Sequence, residues 1–70
     1  MIKHEDVDKL RILLPHWIEH TKEHAEEYRS WADKATVGKQ DILAAAIHFD
    51  TAARSLEAAF EKLGLPLENS

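Results

Sequence analysis

Two apolar periodicities of the heptad kind, with a single glycine between them, leave this chain few folds to choose from. Starting at Val7, apolar or bulky residues recur at Leu10, Leu14 and Trp17, then Thr21 and His24, then Tyr28, Trp31 and Ala35, in alternating steps of three and four. Beyond Gly38 the same alternation runs through Ile42, Ala46, Phe49, Ala53, Leu56, Phe60 and Leu63. Steps of this kind line one face of an α-helix. The sequence therefore predicts an all-α protein, an antiparallel two-helix hairpin. Gly38 is the expected stop of the first helix and Asp41 the expected N-cap of the second, with Gly64 at C′ and Pro66 soon after. Pro15 falls inside the first run and removes one backbone bond. Because the heptad phase survives it, one helix kinked at Pro15 is expected, with two separate helices as the alternative.

Folding about Gly38 brings Leu63 close to Leu14 and leaves Val7, Leu10 and Leu13 overhanging the second helix. Ala45, Ala52 and Ala59, a heptad apart, form a row along which another helix can approach closely. Trp17 and Trp31 occupy the seam and are assigned to packing, as aromatic residues at helical spacing usually are. Seventy residues make a single domain spanning residues 1–70. A core of that size rarely supplies more than ~3–5 kcal/mol, so such chains usually need a disulfide, a metal or a partner subunit. Cysteine is absent, which removes disulfides and thiolate zinc sites. Leu43 and Ile47 add apolar surface off the seam, and a homodimer forming a four-helix bundle is the expected way to cover it.

Charge argues against two classes of partner. The net charge is −4 with neutral histidines, and no lysine or arginine run exists to hold phosphate backbones or anionic lipid. Neither nucleic acid nor a membrane surface is expected. The opening "MIKHEDVDKL" lacks the basic start and apolar run of a signal peptide, and no stretch is apolar enough to span a membrane. A cytoplasmic protein is expected.

The chemistry concentrates in "HWIEHTKEHAEE", His16 to Glu27, which repeats His-x-x-Glu three times. Residues four apart share a helix face about 6 Å apart, so one ion can be held by His16 with His20 or by His20 with His24. The outer two histidines are separated by about 12 Å of helix rise and cannot share one. The heptad phase turns His24 inward with His20 and Glu27 beside it, and turns His16, Glu19 and Glu23 outward. His48 falls within a turn of His24 across the hairpin, on the small-residue stripe. The sequence thus nominates His20 and His24 as a primary pair, Glu27 and His48 as completing ligands, and His16 as the alternative partner of His20. Nitrogen and oxygen donors of this kind suit zinc, nickel, cobalt or iron, and a second subunit can complete the set. The competing reading is structural: His-x-x-Glu pairs stabilise exposed helices by a few tenths of a kcal/mol, and a seam histidine can be a hydrogen-bonded core residue.

"HWIEH" and "HTKEH" match the His-x-x-Glu-His signature of the inverzincin metallopeptidases, where the glutamate acts as base. The chain lacks the length for a substrate cleft and a recognisable third ligand region, so no peptidase is expected. The di-iron template requires Glu-x-x-His, the reverse of the order found here. Nothing pairs a nucleophile with a base, and no glycine-rich loop exists to hold a phosphate.

"LRILLPHWIEHTKEHAEEYRSWADKA", Leu10 to Ala35, resembles a small uncharacterised prokaryotic helical family with a Leu-Pro-His-Trp-Ile-Glu-His motif followed by Glu-His-Ala. Members of that family occur as short proteins and as segments appended to other small proteins, some looking like nickel-binding accessory proteins. The resemblance implies a helical hairpin and transition-metal handling carried by His16, His20 and His24; His48 lies outside it. The leading expectation is a non-catalytic transition-metal-binding module, acting as a carrier, sensor or accessory. The alternative is a metal-free domain that homo-oligomerises or binds another protein through its uncovered apolar surface.

Overall fold

A computed structural model describes residues 4–64 of the chain as two helices, α1 over His4–Lys34 and α2 over Lys39–Gly64. They pack against each other as a hairpin measuring 53 × 18 × 15 Å. α1 runs through Pro15 as one helix, so the alternative of two separate helices falls away. Pro15 is exposed, and the buried Leu14 and half-buried Ile18 on either side of it hold the helix to α2.

The turn differs from expectation in its details. α1 closes at Lys34, where the Ala35 amide donates to the Ala32 carbonyl at 3.1 Å. Gly38 lies at the start of α2, not at the end of α1: its carbonyl accepts the first helical bond, from the Ile42 amide at 3.0 Å. Its φ of 80° is left-handed, which explains why glycine stands there. Asp41 consequently sits in the first turn of α2 and not at its cap. A carboxylate there still complements the helix dipole. Gly64 is the last residue of α2 and not the residue beyond it, and Pro66 lies outside the described residues.

Packing overturns half of the expected seam. The buried side chains of α1 are Leu14, Ala25 and Ala32, and those of α2 are Ala46 and Ala53. Across the helices Lys22 reaches Glu57 at 2.7 Å and Arg29 pairs with Asp50. That register sets Ala25 level with Ala53, and Ala32 level with Ala46. The expected α2 seam holds, but on α1 the line runs through Ile18, Ala25 and Ala32 in place of Trp17, His24 and Trp31. The cause is size. Helices that touch along alanines stand too close to admit an indole or imidazole between them. Trp17 is 42% exposed and Trp31 59%, so neither is the core residue that the spacing suggested. Likewise the close-approach row is Ala46 and Ala53, whereas Ala52 and Ala59 are exposed.

At the open end, Arg11 Nε donates to the Leu63 carbonyl at 3.0 Å. Leu63 thus lies beside the Arg11–Leu14 turn, as the fold-back predicts, and the residues of α1 before Arg11 run past the described end of α2. No helix among the described residues is long and apolar enough to cross a membrane.

The alanine seam makes a size prediction. Ala32→Leu, at a position with 0% exposure, is expected to lower stability by about 1–3 kcal/mol through overpacking. Ala44→Leu, on the exposed side of α2, is expected to change it by less than about 0.5 kcal/mol. Urea denaturation followed by circular dichroism measures both.

Candidate metal site

The phase of α1 that buries Ala25 and Ala32 carries the histidine run around the outside of the hairpin. His16, His20, His24 and His48 are all exposed. His16 and His20 are in ring contact, their centroids 4.3 Å apart and their planes at 69°. This is the i, i+4 approach that lets two imidazoles share an ion. His20 Nδ1 faces Glu23 Oε1 at 3.5 Å, and His24 Nδ1 faces Glu27 Oε1 at 3.6 Å. Neither is a hydrogen bond; both bring a carboxylate near Nδ1, and a tightening of either contact would give the carboxylate–imidazole arrangement that orients metal-binding histidines. The His-x-x-Glu repeat thus places Glu23 beside His20 and Glu27 beside His24 as exposed i, i+3 neighbours on one helix.

His24 turns a different way. Its ring lies 5.8 Å from that of Phe49 and 6.4 Å from that of Tyr28, while Tyr28 and Phe49 meet edge to face at 5.1 Å. The result is an aromatic cluster on one flank of the hairpin. His48 borders the same flank, in a hollow it shares with Ala45, Phe49 and Ala52. Among the described residues, no three His, Asp or Glu side chains converge closely enough to hold one ion within a single copy. The structure thus brings His16 to His20, and brings His24 to Phe49, but does not gather His20, His24, Glu27 and His48 into one set.

The opposite flank carries the ion pairs, beside the exposed Ile47 and an open hollow lined by Pro15, Ile18, Glu19, Lys22, Glu57 and Phe60. Arg29 pairs with Asp50, Lys22 with Glu57, and Arg11 with Asp8 at 3.2 Å. The side-chain hydrogen bond to Asp50 holds the Arg29 guanidinium above its usual range against the lowering effect of desolvation, and the charges of Asp50 and Glu26 add to it. An exposed pair such as Lys22–Glu57 contributes at most about 1 kcal/mol. Its larger effect is to define a polar side for the hairpin. These cross-helix pairs escaped the sequence reading because they become visible only once the helix register is known.

Comparison with known proteins adds a family but no activity. The profile of a family described as a domain of unknown function (DUF8180) matches residues 10–68. No curated protein and no solved structure matches the chain.

The cluster around His24 is testable. Phe49→Ala removes the ring that both His24 and Tyr28 touch. At this half-buried position it is expected to cost about 2 kcal/mol in urea denaturation while the helical signal of the folded state is retained.

Proposed function

We propose that this chain, which belongs to that family of unknown function, is a non-catalytic transition-metal-binding module that works as a dimer of hairpins. The observation that carries the reading is the contact of His16 with His20 at 4.3 Å on an exposed helix face, with Glu23 near His20 Nδ1. Two imidazoles one helical turn apart, one of them beside a carboxylate, supply half of a coordination shell for zinc, nickel, cobalt or iron. The ion, when bound, stabilises the helix that holds it.

His24 and His48 lie on the neighbouring flank, where a second copy packs in a four-helix bundle. They are the residues that a second copy adds to the pair, with Glu27 beside His24 as Glu23 is beside His20. A role in carrying, sensing or delivering the ion accords with a set completed only when two copies meet, because the pair on either copy alone releases an ion readily. A peptidase zinc site needs a third protein ligand, and among the described residues none joins the histidine pair within one copy, so the His-x-x-Glu-His spelling does not by itself carry peptidase chemistry.

The test is a thermal melt of tag-free, chelator-stripped protein, alone and with each ion. An ion bound by the folded state and not by the unfolded one stabilises by mass action, by about 2.7 kcal/mol at one hundred times its dissociation constant. The expected result is a raised midpoint for one ion, abolished by His16→Ala/His20→Ala. The shift should shrink on acidification to about pH 5.5, because imidazole coordinates only when neutral. A midpoint that no ion moves overturns the reading, and so does a shift that survives the double substitution.

A further inference from the structure

The flank that carries His24 is apolar, uncovered and arranged symmetrically along the helix. Trp17 and Trp31 stand on it, each seven residues from His24, and 42% and 59% exposed. Leu13, one turn beyond Trp17, is 39% exposed. On α2 the same flank presents small residues: a hollow lined by Tyr28, Trp31, Asp41, Ile42 and Ala45 adjoins the one formed by Ala45, His48, Phe49 and Ala52. Large protruding rings beside shallow hollows floored by alanine make a surface complementary to itself.

The hairpin's interior is small: among the described residues the buried core is one leucine and four alanines, and no large side chain is fully buried. In a chain without cysteine such a core is marginal in a single copy, and the apolar flank is the surface on which a second copy would add burial.

From this we infer that a second copy of the chain covers this flank, antiparallel to the first, with the two-fold axis passing at His24. An isologous interface requires every contact to occur twice. Centring the axis on His24 satisfies this, because the indole of Trp17 in one copy then lies level with Trp31 of the other, over the hollow that Tyr28, Ile42 and Ala45 line. The two His24 rings face each other across the axis, each backed by its own Phe49. The overlapping lengths of α1 and α2 also have their midpoint near the level of His24 and Phe49, so this arrangement covers the greatest length of helix. The polar flank, cross-linked by Arg29–Asp50 and Lys22–Glu57, remains in water. The inference rests on the dimeric part of the reading above and specifies the face, the direction and the axis.

Chelator-treated protein is the material for the test, so that the metal reading and the packing fail separately. Sedimentation is expected to show a dimer for the wild-type chain and for Ile47→Glu, whose site is 57% exposed away from this flank. Trp17→Glu and Trp31→Glu are expected to give monomers that keep their helical signal. Orientation is read from a spin label on Val37→Cys, a loop position that is 87% exposed in a chain without other cysteines. The antiparallel arrangement sets the two labels about 40 Å apart, whereas a parallel one sets them within about 25 Å. If a tryptophan variant fails to fold, the label distance alone decides. A monomeric wild type overturns the inference together with the dimeric reading. A dimer broken by Ile47→Glu but not by the tryptophan variants, or one with the short label distance, overturns the inference alone.

Discussion

The close approach of two helices along alanine is the constraint from which the rest of the hairpin follows. Ala25 and Ala32 on α1 face Ala46 and Ala53 on α2, and each is at most 2% exposed. Side chains this small fill little volume, so they bring the helices together without building a core. They also leave the larger residues nowhere to go but the flanks. The indoles of Trp17 and Trp31, the ring of Tyr28 and the imidazole of His24 are displaced to one side, and the arginine and lysine pairs close the other. A hairpin made in this way has one polar flank, one aromatic flank and a thin interior. A core so small is marginal alone, and the aromatic flank is where the proposed second copy would extend it.

The same displacement positions the chemistry. With the seam at Ile18, Ala25 and Ala32, the histidine run winds from the outer surface at His16 toward the aromatic flank at His24. His20 stands between the two, close enough to His16 for ring contact. Had the seam run through His24, as the spacing alone suggests, that imidazole would be enclosed between the helices and closed to an ion. The alanines therefore decide that the run is accessible. Two of its glutamates, Glu23 and Glu27, then lie near Nδ1 of His20 and His24.

How much of this was legible in the sequence depends on what carries the signal. The two helices and the antiparallel turn follow from periodicity and from Gly38, and the α2 seam was readable because Ile42, Ala46, Phe49 and Ala53 allow only one phase. The α1 phase was ambiguous. Leu14, Thr21, Tyr28 and Ala35 fit two stripes equally, one completed by Trp17, His24 and Trp31, the other by Ile18, Ala25 and Ala32. Hydrophobicity favours the first stripe. The second wins on volume, and the clue was present in the alanines of the facing helix, which require small partners. The cross-helix pairs of Arg29 with Asp50 and Lys22 with Glu57 had no signal of their own, since either residue type is ordinary on an exposed helix. The candidate ligands were legible as a set of histidines, but their grouping was not, because it depends on the α1 phase.

Isotope-filtered nuclear Overhauser spectra of methyl-labelled alanine, restricted to contacts within one chain, test the alanine seam most directly. The account predicts methyl-to-methyl contacts between Ala25 and Ala53 and between Ala32 and Ala46. Intrachain contacts from the Trp17 and Trp31 rings to the Ala46 and Ala53 methyls, in place of the alanine pairs, would contradict it, since they would put the indoles back in the seam and enclose His24.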